Sequence, residues 1–386
     1  MPLKHMNIAI IGAGIGGLTA AIALKRHGAN VTVFEQAEEI AEVGAGIQIS
    51  ANAIRALIDM GLSPLEWPHS TPSAVHLCDY KKGDVVSTVE LNTSPDSPFL
   101  QFHRADLIDA LWSAATKAGI DIHCGQMISD ITPNGQILGQ KYDLIVGADG
   151  VKSLIRNTHF KSQAPTFTGQ VAWRAIVDAD AESAQFQSKT HVFMGPHKHV
   201  VVYPLRGGKQ INIVAVEERA EWVGEGWNHL GDPKQLHTLF KDWADPVSTL
   251  LQKIDTPIAW GLFAHPPLEA WANDRIVLLG DSAHPMVPFI AQGACMAIED
   301  AWVLADQLVN KTDLSQALQA YETIRKTRAT KVQETALKSG RIYHEANPIK
   351  RKILHTGMQI TSRLAPQFMA RHYDWIYDYD VTKSGV

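Results

Sequence analysis

Three glycines and one acid supply the first recognisable chemistry. Gly12, Gly14 and Gly17 are spaced G-x-G-x-x-G, and Glu35 follows 18 residues after the last of them. The first glycine allows a tight strand-to-helix turn, the second removes a Cβ where a pyrophosphate must approach, and the third lets helix and strand pack closely. The helix that follows presents free N–H groups and a partial positive charge at its N-terminus. Glu35, at the end of the next strand, is placed to accept hydrogen bonds from a ribose diol. These features predict dinucleotide binding without separating FAD from NAD. A second group lies in the run HVVVYP, where His199 and Tyr203 are four residues apart and share one face of a strand. A neutral histidine accepts a proton near neutral pH and a tyrosine fixes an oxygen atom by hydrogen bond, unless both are simply satisfied residues of a sheet. Gln292, just before a helix, either binds a substrate carboxylate or hydroxyl or caps that helix. Trp173 and Arg174 either line the way to a bound ring or pack the sheet.

Three patterns are set aside. Gly280-Asp281-Ser282 with His284 matches the start of a hydrolase motif, but it comes after three quarters of the chain, and two residues of separation do not make a Ser-His pair. His197 and His199 form an H-x-H without an H-E-x-x-H or convergent carboxylates, so no metal site is expected. Cys78, Cys124 and Cys295 are odd in number and far apart, which supports neither a disulfide framework nor a zinc site and fits a reducing cytoplasm.

The elements that must position these groups are legible. NIAII (Asn7 to Ile11), a helix from Gly14 and VTVFE (Val31 to Glu35) form a βαβ unit, which implies a parallel sheet. YDLIVGADG and RIVLLGDSAHP read as two further strands ending in Gly-Asp or Asp-Gly turns. Between them, from Thr166 to Trp260, short β-like runs separated by GPHK and RGGK turns predict an antiparallel sheet in a second domain that interrupts the first. After Ala294 the chain reads as helical. The expected division is residues 1–70, 99–165 and 262–340 for the dinucleotide domain, 71–98 and 166–261 for the sheet domain, and 341–386 for a helical tail.

Composition narrows the partners. The 386 residues are 45% hydrophobic and 19% charged, which is a globular balance, and the formal charge of -5 without a long basic run argues against nucleic acid or an anionic membrane surface. The apolar N-terminal stretch is broken by its glycines and followed by a strand rather than a cleavage site, so it reads neither as a signal peptide nor as an anchor. The 17 histidines are numerous for a chain of this size.

The glycine fingerprint with Glu35, HRADL (His103 to Leu107), VGADGVKSLIR (Val146 to Arg156) and LLGDSAHPMVPFIAQGACMAIEDA (Leu278 to Ala301) together resemble the single-component, or group A, FAD-dependent aromatic hydroxylases, in order and spacing across nearly the whole chain. P-F-x-A-Q-G and the terminal DWIYDYD resemble the salicylate hydroxylase and 6-hydroxynicotinate monooxygenase branch most. The resemblance implies an α/β fold: a Rossmann-like FAD-binding domain of the glutathione reductase and p-hydroxybenzoate hydroxylase type, an inserted, mostly antiparallel substrate sheet and a C-terminal helical segment. It implies tightly but non-covalently bound FAD, with Arg104 near the pyrophosphate, Asp149 and Gly150 in a turn serving FAD and the visiting nicotinamide nucleotide, and Asp281 on a ribityl or ribose hydroxyl. Pro288, Gly293 and Ala294 would bring a helix N-terminus to the flavin. It further implies His199, Tyr203 and Gln292 in catalysis and, with Gln48 and Trp173, in substrate binding. The expected partners are a small aromatic substrate, NADH or NADPH, and O2, in a cytoplasmic monomer or homodimer. The expected reaction is hydroxylation of a phenolic or hydroxypyridine carboxylic acid through a flavin C4a-hydroperoxide, decarboxylative or not. The alternatives are a flavin oxidoreductase or epoxidase acting on a non-phenolic substrate, or a non-catalytic flavin-fold carrier.

Overall fold

The structure is a computed structural model that describes residues 3–39, 45–92, 94–132, 134–222, 229–365 and 373–383. The expected tail, 341–386, therefore lies partly outside the described residues.

The apolar runs near the motifs assemble into one five-stranded parallel sheet. Its order is Ile276–Leu278, Leu144–Gly147, Asn7–Ile11, Asn30–Phe34 and Asp121–His123. Ile8, Ile10, Leu144, Val146, Val277 and Leu278 are fully buried, as continuous apolar strands covered on both faces should be. Because the strands are parallel, their carboxyl ends fall on one edge, and Gly12, Asp149 and Asp281, far apart in sequence, emerge side by side. Main-chain bonds close this edge: Gly12 N–H donates to Phe34 O, Ala148 N–H to Ile11 O and Leu279 N–H to Gly147 O.

The second sheet has eight strands, in the order His229–Leu230, Ile258–Ala264, Thr166–Asp178, Gln210–Glu218, Lys198–Leu205, Thr190–Gly195, Ala74–Asp79 and Val85–Glu90. Pairing is antiparallel except between Thr190–Gly195 and Ala74–Asp79. Alternation of side chains divides it into two faces. The rear face carries Val171, Trp173, Val200, Val202, Ile213 and Ala215 against Leu236, Phe240, Val247 and Leu250 of the helices Pro233–Phe240 and Asp245–Gln252. The front face turns Ala172, Val216 and Trp260 toward the parallel sheet's own core.

Two long helices, Gly293–Asn310 and Leu314–Tyr343, lie beside the parallel sheet, followed by Pro348–Leu364. They are tied together by a buried ionic cluster. Arg325 Nε lies 2.7 Å from Asp300 Oδ1, and its Nη1 2.7 Å from Glu299 Oε2; Arg328 Nε is 2.7 Å from the same Glu299 oxygen. Burial alone would raise the Asp300 carboxyl, but His284 and Arg325 outweigh it and hold it at about 2. Among the described residues no helix is long and apolar enough to cross a membrane.

Candidate active site

The glycine loop fits a dinucleotide in each of its three positions. Gly12 has φ +106°, and a Cβ there would strike Ala148 O; a Cβ at Gly17 would strike Gly12 O. A Cβ on Gly14 would meet nothing within 4 Å, so it points into open space at the start of the helix Ile15–Arg26, whose N-terminus no side chain caps. The two outer glycines are demanded by the protein's own packing, and the middle one faces a ligand's place. Glu35 Oε2 accepts from Ala13 N–H at 2.8 Å and Oε1 from Ala37 N–H at 2.9 Å, which ties the loop to the second strand and leaves lone pairs for a diol.

The other edge residues divide into those that shape turns and those that face outward. Asp149 accepts from Ser153 Oγ at 2.5 Å and from Ile155 N–H at 3.1 Å, so its carboxylate organises the first turn of the helix Leu154–His159. Gly150 follows with φ +77°. Burial pushes the Asp281 carboxyl up, and His284, Arg104, His265 and Arg156 oppose it, so the Arg104 guanidinium lies within electrostatic reach of Asp281 at this edge. Pro288 opens a short 3-10 turn, Ala291 adopts φ +51°, and the helix Gly293–Asn310 starts beyond it. Gly293 and Ala294 are half-buried while Phe289, Ile290, Gln292 and Cys295 are buried, which leaves the helix start open to approach.

Two expectations need correction. Gln292 is 1% exposed and turned inward: its Oε1 accepts from Asn52 Nδ2 at 3.1 Å and its Nε2 donates to Ser50 Oγ at 3.0 Å. It does not cap the helix, and its side chain is held inward because the Glu299 cluster draws Asn52, and Gln292 with it, into the core. Trp173 lies on the rear face, where its Nε1–H donates to Glu217 Oε1 at 3.1 Å. Its neighbour Arg174 takes the front face instead, with its guanidinium 4.6 Å from the Trp260 ring centroid. Alternation along one strand allows only one of the two to face the site.

The front face brings His199, Tyr203 and Gln48 to one side. Val201, between the two strand residues, pairs with Val214, and both valines are half-buried while His199, Tyr203, Asn212 and Val216 are buried. Burial pushes the Tyr203 phenol up, and the nearby Arg174 and Gln48 oppose it. Asn212 Oδ1 accepts from Gly46 N–H at 2.7 Å, which locks the strand Gly46–Ile49 onto this face. At the other end, His199 lies edge-on to Phe289, 5.3 Å between centroids, so the loop leading to Gly293 is seated on it. Burial and the neighbouring His344 push the His199 imidazole well below its usual range, which favours its neutral form.

The hydrolase pattern is dispersed. Ser282 Oγ is spent on Gly147 O and Leu279 O, and His284 Nε2 lies 2.6 Å from Asp300 Oδ2. The H-x-H histidines diverge, His197 to Glu218 and His199 to His344.

Residues 5–336 match the family described as FAD binding domain. The chain is 32% identical to a 3-amino-4-hydroxybenzoate 2-monooxygenase of Streptomyces platensis, over 98% of this chain and 97% of that one. It is 31% identical to a 3-hydroxybenzoate 6-hydroxylase of Klebsiella oxytoca, over 97% of each. The chain belongs to the FAD-dependent aromatic hydroxylases. A salicylate hydroxylase solved with its substrate superposes with a TM-score of 0.81 at 27% identity, covering 98% of this chain and 97% of that one. Membership of this family makes FAD the cofactor, and the open space beyond the Gly14 Cβ position fits such a dinucleotide.

Sequence reasoning passed over several residues that hold these groups in place. Asn212, Asn52 and the ionic cluster are among them. Glu299 and Asp300 sit in an otherwise apolar helical run, and that misplaced charge was a usable signal for the cluster. His344, which reaches His199 from 145 residues away, left none.

Proposed function

We propose that the chain hydroxylates a small phenolic or hydroxypyridine carboxylic acid, using NADH or NADPH and O2. The half-buried Val201 and Val214 pair, flanked by His199 and Tyr203, carries this reading. Four strand residues span about 13 Å, enough for a substituted aromatic ring to lie over the valines with a polar group at each end. The substrate hydroxyl goes to neutral His199, which takes its proton and makes the ring electron-rich. The carboxylate goes to the Tyr203 hydroxyl and to Arg174, whose charge acts on that phenol. Bound FAD supplies electron transfer from the nicotinamide and activation of dioxygen. Gly12, Gly14, Gly17, Glu35, Arg104 and Asp281 hold it, and the N-terminus of the helix beginning at Gly293 favours negative charge beside it.

The test is substrate-stimulated oxidation of NADH and NADPH across hydroxybenzoates and hydroxypyridine carboxylates, with the product identified by mass. A product heavier by one oxygen atom supports simple hydroxylation, and one that has also lost its carboxylate supports the decarboxylative route. Stimulation only by non-phenolic compounds would overturn the reading.

A further inference from the structure

We propose that His344 and Glu218 form, with His199, a proton relay that carries the substrate's hydroxyl proton from the front face of the sheet to solvent. The proposal rests on the phenolic-acid reading above. His199 Nδ1 lies 2.6 Å from His344 Nε2, His344 Nδ1 lies 3.1 Å from Glu218 Oε1, and Glu218 Oε2 lies 2.5 Å from His197 Nδ1. Burial falls off along this line. His199 and His344 are 1% and 3% exposed, whereas the Glu218 and His197 side chains are 41% and 61% exposed. Three elements meet to build it: the strand Lys198–Leu205, the end of the strand Gln210–Glu218, and His344 at the C-terminal end of the helix Leu314–Tyr343. Main-chain bonds fix the links, with His197 N–H donating to His344 O at 3.2 Å and Glu218 N–H to His197 O at 2.9 Å.

The chemistry of the donors gives the chain a direction. An ionised carboxylate only accepts, so His344 carries its proton on Nδ1. Its Nε2 is then a lone pair, so His199 carries its own proton on Nδ1 and presents a bare Nε2 as the base. The tautomer of the buried base is thereby set by an exposed carboxylate one imidazole away. Burial pushes both imidazoles below the usual histidine range, while Glu218 opposes this at His344 and His197 reinforces it. The neutral groups facing the pair are Tyr343 and Phe289 against His199 and the Gln170 amide, 3.4 Å from His344 Nδ1.

The transfer balances. As the substrate O–H breaks, His199 Nε2–H forms; the Nδ1–H of His199 passes to His344 Nε2, the Nδ1–H of His344 passes to Glu218, and water takes the proton from that exposed carboxylate. Both rings are left in the opposite tautomer. Return of a proton along the same path to the product's oxygen resets them before release.

Stopped-flow ultraviolet absorbance of oxidised holoenzyme mixed with 3-hydroxybenzoate reads phenolate formation directly. His344→Gln should slow it about tenfold or more and flatten its pH dependence, with the Kd of 3-hydroxybenzoate held within about threefold. An unchanged rate overturns the relay. Glu218→Gln, at an exposed position, repeats the test should His344→Gln fail to fold. Nitrogen-15 NMR of the histidines without substrate gives a readout independent of turnover. Glu218→Gln should shift the tautomer signals of both His344 and His199, and an unmoved His199 overturns the relay. Coupled histidines together with no phenolate signal from wild type would sink the phenolic-acid reading and, with no substrate proton to carry, the relay as well. A wild-type phenolate signal with uncoupled histidines would sink the relay alone.

Discussion

The glycine edge of the parallel sheet and the front face of the eight-stranded sheet solve opposite problems. The edge is made of backbone: a Cβ at Gly17 would collide with Gly12 O of the same loop, and one at Gly12 with Ala148 O of the neighbouring strand end. The front face is made of side chains held apart by strand alternation, with His199 and Tyr203 separated by half-buried Val201. A site made of backbone is signalled within a few consecutive residues, whose glycines mark where main chain must come close. A site made of alternating side chains depends on which face another part of the chain happens to cover.

The sharpest way to break this comparison is within the cradle itself. Gly14→Val should fold yet lose essentially all FAD and activity, because its side chain enters only the ligand's space; Gly17→Ala should lose folded protein, because its Cβ meets Gly12 O. Flavin absorbance and thermal melts separate the two, and a fully flavin-loaded Gly14→Val would refute the cradle. Next in size, His199→Ala should lower turnover about 100-fold while retaining FAD, read by single-turnover kinetics with a stimulating substrate. Glu299→Gln leaves Arg325 and Arg328 under-compensated in the core and should cost about 3 kcal/mol in urea unfolding. On the sheet, Arg174→Ala should raise KM for carboxylate substrates about tenfold, whereas Trp173→Phe, on the rear face, should leave KM unchanged. Equal KM effects would erase the distinction between the faces.

The smallest expected effect is on pH. His191, buried edge-on to His76 and Phe186, is pushed down to about 4, chiefly by burial and then by His76. A histidine with a depressed pKa stabilises the fold above its unfolded value of 6.5, and that contribution is lost as pH falls through the folded value. Stability should therefore decline from about pH 6.5 toward about pH 4, and His191→Phe should flatten that decline in melts across the range.

Much of the fold was legible. The strand Asn7–Ile11 agrees with its apolar run residue for residue, and the helix Ile15–Arg26 follows from the glycine loop and the Ala- and Leu-rich face behind it. The alternation of THVFM and HVVVYPL likewise foretold the strands Thr190–Gly195 and Lys198–Leu205. Period two says that Trp173 and Arg174 face opposite ways, but not which way faces the site, since that depends on helices arriving more than 50 residues later. Gln292 was misjudged for a related reason. Its fate is decided by Asn52 and Ser50, some 240 residues distant, which draw its amide into the core.

The sequence by itself signalled the cradle, because its glycines fall in one short run from Gly12 to Gly17, although the backbone that Gly12 meets, Ala148, is brought there by packing. It also determined that His199 and Tyr203 share a face, because pleating is a local property of a strand. Only the tertiary structure decided that His344 and Glu218 stand behind His199, that Arg174 rather than Trp173 takes the front face, and that Gln292 turns into the core. Each of those depends on hydrogen bonds and burial between segments that chain connectivity leaves independent until they pack.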